Sequence, residues 1–317
     1  FVMRKLYAVV CLALFSTAYH AQETLPYYHQ YLFDGDFLFN PAQYGKTDYV
    51  HVNANYQKQF ASLSESPNVQ SVGMHANIFD RVGAGFSVYR DQNGPISAGG
   101  ITLGASYFIP ISDEGERKDQ FSFGTSVTAA NFNFDYTKLN VDQQNDPLLQ
   151  GDNSIFMMYA NFGLAATYRN IFAGASITDI ALSNDRDLVN FREPSPIKIF
   201  LNLGYDWYLT EGLYVTPSVL MNLNTNSSIM LDGNLMGTVK TDFNSFSAGA
   251  SFRYVQNRFD TQSLAISPVV KVNLNKFMIG ATYNIGLSDI AEFGGSSFMI
   301  GLGYNFDNFI NVRGYRY

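Results

Sequence analysis

The sequence predicts an all-β protein, a transmembrane antiparallel β-barrel of about 14 strands with short periplasmic turns and long outer loops. Three observations carry this. Charged residues make up only 15% of the 317 residues, against roughly 25% in an ordinary soluble domain, while aromatics reach 15% with 27 Phe and 21 Tyr. Mean hydropathy is nevertheless only −0.06, and past the N-terminus no stretch approaches the roughly 18 apolar residues that a membrane helix needs. Apolar residues instead alternate with Gly, Ser, Asn and Thr, as they do when alternate positions of a strand face lipid and lumen.

The first residues read as an export signal: Arg4 and Lys5, then the apolar run Leu6 to Phe15, then a small-residue exit from Ser16 to Ala21. Cleavage after Ala21 is expected, giving three parts: a signal at 1–21, an N-terminal periplasmic or plug segment at 22–47, and a barrel at 48–317. The ten apolar residues are too few to span a bilayer. The one cysteine, Cys11, lies in this signal. Losing Arg4 and Lys5 leaves 18 of the 20 basic residues against 27 acidic ones, a formal charge of −9. That balance argues against nucleic acid or an anionic membrane surface as partner; outer-membrane lipid is expected around the barrel because alternate strand positions are apolar.

Two-faced strands are clearest near the C-terminus. Phe298, Ile300, Leu302, Tyr304 and Phe306 share one face, opposite Met299, Gly301, Gly303 and Asn305. Phe277, Ile279, Ala281, Tyr283 and Ile285 alternate in the same way, and the two segments suit a hairpin. Ile101 and Leu103 against Thr102 and Gly104, and Phe246 and Phe252 against Ser247 and Arg253, repeat the pattern. A soluble sandwich would place Lys, Glu and Asp on the second face; here that face is small and neutral, so a barrel is preferred.

Strand starts are expected near Val50, Val69, Val82, Gly100, Gln120, Met157, Ile171, Lys198, Leu213, Ile229, Ser245, Leu264, Phe277 and Phe298. Short joints (Asp80 and Arg81, Arg169 and Asn170, Thr210 to Gly212, Asn275) fall at even positions. The long polar joints Asn131 to Phe156 and Thr178 to Ile197 fall at odd ones. Both termini are then periplasmic. The charged joint from Ile111 to Asp119 is longer than this rule allows.

Catalytic chemistry finds little footing. His29, His51 and His75 remain after signal removal, at no metal-ligand spacing, and no nucleophile elbow or phosphate loop is present. His51 and His75 are expected in the lumen, within reach of Ser71 or Ser87, yet polar lumen filling explains them equally well. Asp206, Arg253 and Lys271, with Lys58 and Asp232, are the other lumen candidates. They are too sparse for an ion-selecting constriction. Asp142, Asn145, Asp146, Asp152 and Asn153 carry oxygen ligands without an EF-hand order, so a solvated loop is the simpler reading. No catalytic residue, metal or cofactor is assigned.

The run YYHQYLFDGDFLFNPAQYG, Tyr27 to Gly45, resembles the opening of PorP/SprF family proteins, in which a Q-Y-x-F segment leads into N-P-A-x-x-G. Here these are Gln30, Tyr31, Phe33, Asn40, Pro41, Ala42 and Gly45. The resemblance continues from Asp80 to Ser97, through Asn145, Asp146 and Pro147, from Asn161 to Ile180 and from Tyr214 to Leu223; the segment from Asn226 to Phe243 departs from it. It implies a non-enzymatic outer-membrane barrel of the type IX secretion system. The SprF-like role, export and surface attachment of a cognate adhesin through the adhesin or its C-terminal domain, is preferred. The alternatives are a PorP-like core component, joined to peptidoglycan through a periplasmic lipoprotein, and a substrate-specific outer-membrane transporter. In the opening segment, Asn40 before Pro41 disfavours helix and Gly45 permits a turn. Its rings, among them Tyr31, Phe33, Phe37 and Phe39, need burial that the lumen or a partner could supply.

Overall fold

The computed structural model describes residues 29–60, 66–112, 119–138, 153–183, 187–188, 191–192, 197–225, 228–256, 261–287 and 296–311. No helix among them is long and apolar enough to cross a membrane.

Fourteen antiparallel strands close into one barrel. They are β1 (Tyr49–Lys58), β2 (Asn68–Phe79), β3 (Val82–Asn93), β4 (Ile96–Ser112), β5 (Asp119–Phe134), β6 (Ser154–Tyr168) and β7 (Ile171–Ala181). There follow β8 (Lys198–Tyr205 and Trp207–Thr210, interrupted at Asp206), β9 (Leu213–Asn224), β10 (Ile229–Lys240), β11 (Asn244–Gln256), β12 (Thr261–Leu274), β13 (Phe277–Gly286) and β14 (Ser297–Asp307). Each pairs with its chain neighbours, and β1 closes on β14 from Tyr49 opposite Asp307 to Lys58 opposite Phe298. A two-residue ladder, Asp187–Leu188 with Phe191–Arg192, lies between β7 and β8. Closure leaves the barrel sheet itself with no free edge, which lipid would not tolerate.

The alternation read from the sequence is the alternation of the wall. Ile101, Leu103, Phe246, Phe252, Ile279 and Ile300 are all exposed on the outside, Leu103 at 60%. Thr102, Ser106, Ser126, Ser251 and Thr282 are buried on the inside. Lys58 is a correction: β1 alternates without a bulge, Gln57 faces inward opposite Met299, and Lys58 therefore takes the outward register opposite Phe298. A shift of one residue changes faces.

The two ends differ. At the turn end, Arg81, Arg169 and Asn275 have φ of +62°, +54° and +55°, the left-handed geometry that lets a tight hairpin reverse. At the loop end the connections are mostly longer, although β3 and β4 are joined through Gly94 and Pro95 alone. The charged joint after Ser112 and the possible calcium ligands Asp142, Asn145, Asp146 and Asp152 lie outside the described residues. So does the signal segment. Asn153 is described, and its carbonyl accepts from the Phe134 amide at 2.8 Å.

Candidate functional site: the lumen and the segment inside it

The segment His29–Gly45 enters the barrel and occupies its interior. Three short 3-10 turns, His29–Phe33, Asp36–Leu38 and Pro41–Gln43, fold it into a compact thread. Asn40 is extended, as a residue before proline should be, and its side chain accepts from the Ala42 amide at 3.0 Å. Pro41 then opens a helical turn rather than preventing one, because its missing N–H falls where a helix has no use for it.

The aromatic rings of this segment lie against wall positions that carry no side chain. A Cβ on Gly280 would stand 2.3 Å from the Phe33 ring, and one on Gly73 2.6 Å from the Phe37 ring. The Tyr44 ring covers Gly85 and Gly104, while Pro41 and Asn40 cover Gly124 and Gly163. These glycines come from β2, β3, β4, β5, β6 and β13, so they form a groove around much of the inner wall. Phe33, fully buried, also packs with Met236, Val269, Met278 and Met299. Phe39 packs with Phe200, Leu220 and Met230. Burying side chains of this size contributes roughly 1.5–3 kcal/mol each.

Polar contacts fix the register of the segment along the groove. The Asn53 amide donates to the Phe33 carbonyl at 2.7 Å, the Ser176 hydroxyl to the Phe39 carbonyl at 2.7 Å, and the Ser106 hydroxyl to the Tyr44 carbonyl at 2.6 Å. Asn40 donates to the Leu164 carbonyl at 3.0 Å, and Gln30 to Gln57 Oε1 at 3.1 Å. The Tyr31 hydroxyl lies 3.0 Å from Asp232 Oδ2 and 3.1 Å from Asn234 Oδ1. Asp232 in turn receives Arg253 through two bonds of 2.6 Å, a forked pair with both partners buried.

The structure places the sequence candidates as follows. Gln30, Tyr31, Phe33, Asn40 and Pro41 all lie in the thread. Gly45 ends it at φ +66°, and its amide donates to His75 Nδ1 at 3.1 Å. His51 and His75 are neighbours with ring centroids 5.3 Å apart, and the Phe37 ring stands edge-on to both. His51 Nδ1 is 2.6 Å from Asn305 Oδ1. Ser71 Oγ contacts the Asn55 amide at 3.4 Å, so neither histidine is placed on it as a base on a nucleophile. Lys271 lies 2.7 Å from Asp34. Asp206 is buried at the break in β8 and accepts from the Thr216 hydroxyl at 2.7 Å. Among the described residues, no three His, Cys, Asp or Glu side chains are grouped to hold a metal.

Sequence reasoning missed two elements of this site. One is the set of wall glycines, whose signal was their recurrence on the small-residue face. The other is Asp179, in a bulge of β7 at φ +62°, with its amide on Asn161 Oδ1 at 2.9 Å and its carboxylate 2.8 Å from Lys198. The thread divides the lumen. Toward the turn end a polar vestibule of about 500 Å³ is lined by Asp34, Asp36, Lys46 and Lys271. Toward the loop end a chamber of only about 70 Å³ lies between the thread and the wall.

Comparison with known proteins agrees with this architecture. Among solved structures, the chain is similar to the CymD monoaromatic hydrocarbon channel, with 12% identity, coverage of 86% of this chain and 92% of that one, and a TM-score of 0.51. It is also similar to the TodX deltaS2S3 mutant monoaromatic hydrocarbon channel, with 11% identity, coverage of 86% and 94%, and a TM-score of 0.50. At such identity the likeness concerns the fold alone. No curated protein matches the chain in sequence. The sequence profile described as "Type IX secretion system membrane protein PorP/SprF" matches residues 20–304. With nearly the whole barrel and its inner thread covered by that match, the chain belongs to the PorP/SprF family of type IX secretion system membrane proteins.

Proposed function

We propose that this outer-membrane barrel assists export and cell-surface attachment of a cognate adhesin, in the SprF-like manner, and that the thread His29–Gly45 is a plug closing its lumen. One observation carries the reading: the thread lies in a groove of wall glycines and leaves a chamber of about 70 Å³ at the loop end. That volume has room for a few water molecules and not for a sugar or a hydrocarbon chain, so a passive pore is the weaker reading. On this account the turn end faces the periplasm and the loop end faces outward, where a secreted chain or its C-terminal domain is met. The barrel then performs no catalysis and works with other secretion components. Gene deletion followed by surface labelling tests it. Loss of one displayed adhesin, with small-solute permeability unchanged, is expected. Normal display with reduced uptake of a small solute would instead favour the transporter. Retained display with a periplasmic lipoprotein released from the envelope would favour the PorP-like alternative.

A further inference from the structure

The outward face of β1, β2 and β3 changes character toward the loop end. Strand pairing places Tyr56, Gln70 and Arg90 in one row across the three strands, and Lys58, Asn68 and Gln92 in the next row out. All six take the outward register, in step with Ala54, Val72 and Val88 below them. None of the six is acidic, and two are cations. Among the described residues, no other barrel strand carries a cation on its outward face toward that end. Elsewhere around the wall the same level is greasy: Phe156 on β6, Ile177 on β7, and Ile229 and Leu231 on β10 are exposed there. The Tyr56 and Phe298 rings lie 5.9 Å apart on this face, and aromatic side chains of this kind gather where hydrocarbon gives way to head groups.

A second observation is independent of the charges. The outer wall is dished here: a depression of about 450 Å³ runs over Ala54, Val72, Val88 and Leu302, and Tyr56, Gln70 and Arg90 stand at its loop end. The floor is low at Ala54, which lies between Val72 on β2 and Leu302 on β14. Snorkelling accounts for a single long cation at the rim of a membrane wall. It does not account for a row of neutral hydrogen-bonding groups between two cations, nor for an apolar trough that continues from them toward mid-membrane. Those are the parts of a site for an amphiphile with an anionic head.

We propose that this face binds one phosphorylated glycolipid of the outer leaflet, with its phosphate between Arg90 and Lys58, its sugar hydroxyls on Gln70 and Asn68, and one acyl chain in the trough. A guanidinium meets phosphate oxygens two at a time, and a lysine adds charge without fixed geometry. Amide side chains both donate to and accept from hydroxyls. Charge favours this occupant over a second copy of the chain, because two copies packed on the same face would set cation against cation. The acidic balance of the whole chain, −7, still opposes a general attraction to anionic surfaces, so the contact is one local site.

The inference rests on the reading that the loop end faces outward, where such glycolipids are, yet binding is measured in detergent and needs no orientation. The full-length barrel is incubated with purified diphosphoryl lipid A and, separately, with phosphatidylglycerol at the same concentration, and adducts are read by native mass spectrometry. Lipid A should form a one-to-one adduct, and phosphatidylglycerol a weaker one. Arg90→Gln and Lys58→Gln should each weaken lipid A about fivefold, and the double variant about thirtyfold. Lys276→Gln, which removes a cation at the turn end, should change nothing. Heat-shifted gel migration checks the folding of each variant, and should one fail, the other and the comparison of the two lipids on the unaltered chain still decide. Equal lipid A binding by the unaltered chain and the folded double variant would overturn the proposal. So would phosphatidylglycerol bound as tightly as lipid A, no adduct, or a protein dimer in place of the adduct. Any of these beside labelling of a loop-end cysteine on intact cells would leave the orientation standing and remove this proposal alone.

Discussion

The Phe33 ring occupies the place where a side chain on Gly280 would stand: a Cβ there would lie 2.3 Å from the ring edge. The absence of one side chain on β13 and the presence of another in the thread are thus two halves of a single contact. Gly280→Val should push the ring out of its seat, with the 1–3 kcal/mol that overpacking typically costs, roughly, falling on the thread rather than on the barrel. Chymotrypsin should then cut near Phe33 faster while gel migration stays that of a folded barrel. Gly233→Val, at a position with nothing within 4 Å of an added Cβ, is the control and should leave cleavage unchanged.

Asp232 and Arg253 form a buried forked pair that also receives Tyr31. Arg253→Met strands a carboxylate in the wall and should destabilise the barrel by about 3–5 kcal/mol. Adding Asp232→Leu should recover much of that loss, since an apolar pair of similar volume strands no charge. Tyr31→Phe removes one hydrogen bond and should cost only about 1–2 kcal/mol. Denaturant midpoints of the three variants check the order.

The register of the wall makes a sharper statement. Leu103 is 60% exposed to the outside and Thr102 is turned inward, 2.9 Å from Thr128. Leu103→Arg should lose about 2–4 kcal/mol to lipid near mid-membrane and assemble poorly, and Thr102→Arg should be hurt less. Heat-modifiability gels of the two variants measure the difference; equal assembly would contradict the register.

Much of this was legible in the sequence because a closed barrel repeats one rule. Period-two alternation located β3, β7, β8, β9, β10 and β13 to the residue, at Val82, Ile171, Lys198, Leu213, Ile229 and Phe277. It was least accurate for β4, which begins at Ile96 rather than near Gly100, because Ser97, Ala98 and Gly99 are too small to reveal a face. Lys58 was misassigned for the opposite reason: at a strand end, a single step decides the side. The identity of the thread was readable in its motif, but its seat was not, since glycine carries no side chain to signal what lies above it. Asp179 was hidden because a bulge depends on the partner strand and leaves no mark in the local sequence.

Orientation follows from the two unlike ends. The single cysteine of the chain is Cys11, so a cysteine introduced in the barrel reports its own side. Thr137→Cys, exposed at the loop end, should react with an impermeant maleimide on intact cells. Asp242→Cys, exposed at the turn end, should react only after lysis. The reverse pattern would invert the proposed topology.

Single-channel recording in a planar bilayer tests the central claim, that the thread closes the lumen, most directly. The intact chain should insert and show no steady current. A version lacking Gln22 to Gly35 loses the first part of the thread, with Gln30, Tyr31 and Phe33, but keeps every strand, and the wall closes on itself without those residues; it should conduct steadily. A steady current through the intact chain, unchanged by the deletion, would contradict the account.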